Sequence, residues 1–195
     1  MNNIVKFLKL LGGGGSSIPH KIKWFFANRN NETKLRYLRE LGCKVGDKTR
    51  FVGKLDKIGS EPYLIEIGED CLISDNVYFH THDGGVKVLN TLGYWGKETC
   101  DRMARIKVGN NCFIGSGARI MMGVIIGDNC IIGANSVVTK SIPSGSVVAG
   151  MPAKVICSID EYFKKNTERG YFYITTAMKA DEKKAFLLKN IQDLN

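Results

Sequence analysis

A recurrence of six residues between Val108 and Pro143 constrains this chain more than any other feature of its sequence. Val108, Ile114, Ile120, Ile126, Ile132 and Val138 share one position of the step, and Gly109, Gly115, Gly127 and Gly133 directly follow four of them. The fifth position holds Cys112, Ala118, Val124, Cys130, Ser136 and Ile142. Such a period suits neither an amphipathic helix, at about 3.6 residues per turn, nor an alternating strand. It suits a repeat in which each step supplies one short strand and one corner of a parallel β-helix. The core of such a solenoid is thin, one aliphatic side chain per step stacked on its equivalent in the next coil, so several coils and covered ends are required. The register predicts that Ile114, Ile126, Ile132 and Val138 point inward while Lys107, Asn110 and Asp128 face solvent.

The repeat can be followed back to Val45 as VGDKTR and FVGKLD. It breaks step between Lys57 and Ile65 at a corner insertion, Gly59-Ser60-Glu61-Pro62, and resumes as IGEDCL, ISDNVY and FHTHDG. From there to Val108 the register is lost in a polar segment with Gly93, Tyr94, Trp95 and Gly96 near its middle. Long excursions from a rigid scaffold are where function concentrates. After Val138 the register slips through Ser144-Gly145-Ser146 and closes with VVAGMPAKVI. The expected class is mainly β: a helical cap over residues 1–44, a β-helix over 45–157 with an inserted loop at about 84–105, and a helical extension over 158–195.

In the cap, Asn31 is expected as the N-cap and Gly42 as the C′ residue of a helix with Leu35, Leu38 and Leu41 on one face. Its place predicts that it covers the first coil, whose strand would otherwise present unpaired backbone. Ile4–Leu11 is apolar but interrupted by Lys6 and Lys9, and far too short to span a bilayer. It reads as a helix docked on the core or a neighbouring subunit. Lys21, Lys23, Trp24, Phe25 and Phe26 keep membrane-surface contact open as a less favoured alternative. Gly12–Ser17 forms a break. Ser158-Ile159-Asp160-Glu161 is a capping-box sequence opening a helix to about Lys165. A second helix is expected from about Asp181 to Ile191, with Tyr171, Phe172 and Tyr173 between the two packing on the solenoid or across an interface.

A formal charge of +9 points to an anionic partner: nucleotide phosphates, an acidic glycan, a membrane surface or nucleic acid. The lysines are scattered rather than striped, which argues against nucleic acid. The 22 glycines against 4 prolines suit many corners of positive φ rather than disorder. Of six cysteines, Cys71, Cys112 and Cys130 fall on the small fifth position, and no C-x-x-C pair occurs. Reduced thiols and a cytoplasmic location are expected.

His20 lies in the irregular N-terminal region, whereas His80 and His82 stand at the end of the last in-register hexad before the long loop. An imidazole titrates near neutrality, at about 6.5, and one beside Asp83 or a carbonyl can take a proton there. His82 is the better placed of the two; the alternative is a pair of surface histidines on a corner. The H-x-H spacing resembles a metal site but lacks further ligands nearby, so no metal is expected. Tyr94 and Trp95 could stack on a sugar ring or equally pin the loop down. Cys100 is the one loop cysteine placed to serve as a nucleophile, with nothing near it to activate the thiol, so direct transfer is preferred over a covalent intermediate.

The segments SEPYLIEIG, ISDNVYFHTHDGG and IGANSVVTKSIPSGSVVAGMPAKVI resemble the hexapeptide-repeat acyltransferases, in the branch of maltose, galactoside and capsular-polysaccharide O-acetyltransferases. The likeness covers about Val45 to Ile156. It implies a left-handed β-helix, a homotrimer, and acetyl-CoA as co-substrate in the groove between subunits. The implied acceptor is a hydroxyl of a sugar, nucleotide sugar or polysaccharide. By motif, the resemblance makes His82 the general base and places Asn76 on the acceptor; Asp83 and Trp95 are expected beside it from their own chemistry. The resemblance places Ser116, Ala134, Thr139, Lys140, Pro152 and Lys154 on the CoA side. Lys140 and Lys154 suit the CoA phosphates as point charges. Met151 stands where asparagine or valine is commoner, and His80 where an aliphatic residue is. A γ-type carbonic anhydrase on the same solenoid would need three metal-binding histidines; a non-catalytic scaffold has no motif in its favour.

Overall fold

The computed structural model describes residues 20–55 and 58–191; Ile4–Leu11 and Gly12–Ser17 lie outside them. Two helices, α1 (His20–Ala27) and α2 (Asn31–Glu40), precede a succession of short strands. These are β1 (Lys44–Val45), β2 (Arg50–Phe51), β3 (Ile65–Ile67), β4 (Leu72–Ile73), β5 (Tyr78–His80), β6 (Ile106–Val108), β7 (Phe113–Ile114), β8 (Arg119–Met121), β9 (Ile125–Ile126), β10 (Ile131–Ile132) and β11 (Val137–Val138). A hairpin of β12 (Ser146–Gly150) and β13 (Ala153–Ser158) closes the series.

The strands stack as three faces of a prism. The first face runs β1-β3-β6-β9, the second β2-β4-β7-β10-β12-β13 and the third β5-β8-β11. Every pairing is parallel except β12 with β13. This is a left-handed parallel β-helix flanked by short terminal helices. Equivalent positions in successive regular coils lie 18 residues apart. Where the long loop intervenes the separation grows to 41. All six aliphatics of the repeat are at most 1% exposed, while Lys107, Asn110 and Asp128 lie outside. Each such burial is worth about 1.5–3 kcal/mol.

Glycine serves the corners in two ways, one of them the positive φ expected from composition. The glycines that follow the inward aliphatics are there for close approach between coils: a Cβ on Gly115 would stand 2.6 Å from the Ala134 nitrogen. Positive φ is shared between other glycines, Gly53, Gly117, Gly123 and Gly145 among them, and short polar side chains, Asp70, Asn76, Asn111, Asn129 and Asn135, with φ between 50° and 56°. Asn and Asp are the non-glycine residues that tolerate this region. The amides also ladder between coils, as in Asn111 to Asn129 at 2.8 Å.

The N-terminal helices cover the first coil. The N-cap of α2 is Asn30 rather than Asn31: the Asn30 side chain accepts from the Thr33 N–H in a capping box. Asn31 is spent on the solenoid, donating to the Thr49 carbonyl and accepting from the Phe51 N–H. Lys34 donates to the carbonyls of Phe51 and Gly53, and the Trp24 indole N–H donates to the Leu55 carbonyl. Leu38 is fully buried, and Gly42 takes φ +86° as the helix ends.

A second compact unit begins at Asp160. After the loop helix α3 (Val86–Thr91) of the first unit, the second holds α4 (Ile159–Glu168) from its second residue onward and a last helix, α5 (Ala180–Asn190). Phe172 stacks on Phe163 at 5.8 Å and Tyr173 packs edge-on against Phe186 at 6.4 Å. Among the described residues no helix is long and apolar enough to cross a membrane.

Candidate active site

The alternation of β5 turns Phe79 inward and leaves Tyr78 and His80 on the outer side of the third face. Thr81 is buried as the chain turns the corner, and His82 follows with its side chain 46% exposed. Here the excursion departs and returns as a two-chain neck. Asp83 N–H donates to the Arg102 carbonyl, Ala104 N–H to the Thr81 carbonyl, and His82 bridges Met103. Beyond the neck lies α3 (Val86–Thr91), tied to the returning strand by the Asn90 side chain, which bonds both backbone groups of Cys100 at 2.9 Å.

His82 is fixed by a residue that spacing did not reveal. Glu61, 8% exposed at the corner insertion, faces the His82 Nδ1 atom at 2.9 Å and accepts from the Thr81 hydroxyl. The Thr81 hydroxyl above all, and then His82, hold the Glu61 carboxyl below its ordinary range, against the opposing effect of burial. A carboxylate can only accept, so the Nδ1 atom carries the proton and the Nε2 lone pair is left for a reacting hydroxyl. Asp83, the sequence-based partner for the imidazole, does not fill that role. Its carboxylate is paired with Arg102 at 2.5 Å and accepts from the Gly85 N–H, which braces the neck. The corner insertion that carries Glu61 lies against the Phe79–Thr81 segment through Gly59, a contact that spacing along the chain does not announce.

The other predicted residues fall into distinct places. Asn76 occupies the turn from second to third face with φ 56°, its amide donating to Asp75 at 3.2 Å. Ser116 and Ala134 lie on the same corner in later coils, and both are exposed. Thr139 and Lys140 stand on the opposite edge of the third face, the edge that carries His82. Pro152 and Lys154 are exposed on the β12–β13 hairpin. Trp95 is 40% exposed on the loop beside Tyr94, ring centroids 6.4 Å apart. His80 stacks on Tyr78 and does not bond His82; burial first, then the positive charges of Arg119 and His82, lower its pKa. Among the described residues no three His, Cys, Asp or Glu side chains converge to hold a metal ion.

Residues 105–140 match the family described as the hexapeptide repeat of succinyl-transferase. Protein CapG of Staphylococcus aureus is 42% identical over 158 residues, which is 80% of this chain and 88% of CapG. The chain belongs to the hexapeptide-repeat acyltransferase superfamily. Within it, the chain is related to the O-acetyltransferases of the maltose, galactoside and capsular-polysaccharide type. The serine acetyltransferase of Staphylococcus aureus strain Mu50 is 40% identical over 105 residues, 51% of this chain but only 45% of that enzyme. A solved maltose O-acetyltransferase from Clostridium difficile 630 superposes with a TM-score of 0.54 over 81% of this chain and 89% of its own. At 24% identity that likeness is one of fold. These relatives support an acyltransferase-like enzymatic activity.

Proposed function

We propose that the protein transfers the acetyl group of acetyl-CoA to a hydroxyl of a sugar, nucleotide sugar or polysaccharide, with His82 as general base. The observation that carries this reading is the Glu61–His82 pair: a buried carboxylate orients a half-exposed imidazole whose free nitrogen can meet an acceptor. The acceptor hydroxyl gives its proton to the Nε2 atom as its oxygen attacks the thioester carbon. The tetrahedral oxyanion then collapses, and the departing thiolate takes the proton from the imidazolium, while Glu61 stays ionised throughout. Asn76, Asp83 and Trp95 are proposed on the acceptor, and Ser116, Ala134, Thr139, Lys140, Pro152 and Lys154 along CoA.

A homotrimer completes this site. Within one prism, Ser116 and Ala134 border one edge of the third face while His82 and Lys140 border the other. A neighbouring copy would bring its own edge against the first, joining the two sets in one groove. Polysaccharide biosynthesis in the cytoplasm is the setting proposed, in keeping with six unpaired thiols. The direct test is thiol release from acetyl-CoA against mono-, oligo- and nucleotide sugars. Turnover with a sugar hydroxyl and none with serine is the expected result; the reverse would overturn the acceptor class.

A further inference from the structure

The third face carries a second group of side chains that the transfer as derived does not use. Arg119 on β8 lies directly across from Tyr78 on β5, with the guanidinium 4.3 Å from the ring centroid. The Tyr78 ring in turn stacks with His80, centroids 5.7 Å apart and planes within 8°. The rest of this face is Met121 opposite His80, and Val137 opposite Arg119.

Arg119 is exposed, and among the described residues no carboxylate pairs with it. An aromatic ring, rather than an anion, holds the guanidinium in place. That arrangement keeps the charge and fixes the planar fork without using up its capacity for a carboxylate or phosphate. Next to it, the Nε2 atom of His80 is enclosed and has no hydrogen-bond partner. Two unspent polar groups on an otherwise apolar and aromatic face are the composition of a ligand site. This site leads to the reacting base along one strand, since His80 ends β5 two residues before His82.

We propose that Arg119, seated on Tyr78, binds an anionic group of the acceptor, so that the enzyme selects sugars bearing a carboxylate or a phosphate. The inference rests on His82 as the base that meets the acceptor, and it names the class of acceptor that this base receives. A bidentate contact to a charged oxygen pair is among the stronger single interactions available at a surface.

The test is equilibrium titration of the full chain, by calorimetry or ligand-observed NMR, with glucose, glucuronate and glucose 1-phosphate. At least one of the two anions is expected to bind about 10-fold or more tightly than glucose. Which anion gains more identifies carboxylate or phosphate as the recognised group. Arg119→Gln should abolish the difference, and Arg119→Lys should restore part of it, because charge returns without the fork. Both variants should melt at the parental temperature, as expected for an exposed side chain. Equal binding of the three compounds, or binding of none, overturns the proposal. A loss of CoA affinity in Arg119→Gln with anion discrimination intact also overturns it, assigning the arginine to the CoA phosphates. Acetyl transfer is measured separately by thiol release. An inactive protein that still discriminates the anions contradicts the proposed reaction and leaves this site standing.

Discussion

His82 and Glu61 are 21 residues apart, and the hydrogen bond between them exists only because one coil lies on the next. If His82 removes the acceptor proton, His82→Ala should lower kcat by about 10²–10⁴-fold and leave the KM for acetyl-CoA nearly unchanged. Glu61 acts through the histidine, so Glu61→Gln should lower kcat by about tenfold or more without changing either KM, since an amide can also stabilise the wrong tautomer. Steady-state kinetics on one accepted sugar separates these outcomes, and near-parental kcat in His82→Ala would remove the histidine from the mechanism. His80 makes a prediction about stability. Its pKa is lowered in the folded protein, by burial and then by Arg119 and His82. Below the ordinary histidine range, about 6.5, the unfolded chain therefore binds more protons than the folded one. The stability present above that pH should fall as pH drops towards the lowered value. His80→Phe should flatten this slope in urea denaturation at about pH 7 and pH 5. His82 was legible because its position before the loop and its THD segment are written in one stretch of sequence. Glu61 was not, because no local pattern shows which corner side chain will stand beneath the histidine.

At the scale of strands and corners, the core was legible because a six-residue period admits a single inward position. All six aliphatics named from that period are buried. The polar corner positions were harder to assign, since the glycine count announced positive-φ corners, which ten glycines supply, but not that Asp70 and four asparagines take the same conformation. The helix boundary at Asn30 was missed for a related reason. Asn30 and Asn31 are equally good caps by type, and only the partner offered by Thr49 and Phe51 separates them. Ile126→Ala should cost about 2–5 kcal/mol, and Ile126→Asp should prevent folding by burying an unpaired charge. Asn129→Ala, at φ 55°, should lose about 1 kcal/mol while Asn129→Gly stays close to parental. Urea midpoints of the three variants that fold check this ordering, and circular dichroism without urea checks that Ile126→Asp does not.

For the whole molecule, the question is whether one prism suffices. The proposed trimer predicts a threefold mass by light scattering. It also predicts that His82→Ala, mixed and reassembled with a Lys154→Ala partner, regains activity that neither has alone. Activity in a species of monomeric mass would exclude the shared groove. The trimer was expected from the family resemblance alone, because the edges that would meet belong to different copies and leave no pattern within one chain.

The stacked corner of Cys71, Cys112 and Cys130 has a use outside catalysis. Each Sγ atom donates to a carbonyl of the adjoining coil, Gly109, Gly127 and Pro143, at 3.1, 3.1 and 3.3 Å. A labelling reagent can therefore reach these sulfurs only after the coils part. Cys100 and Cys157 are partly accessible, whereas Cys43 and the three stacked thiols are buried. Two thiols should react with an excess of aromatic disulfide within the mixing phase and four at the pace of unzipping. The order in which the slow four appear by mass spectrometry reads out from which end the solenoid comes apart.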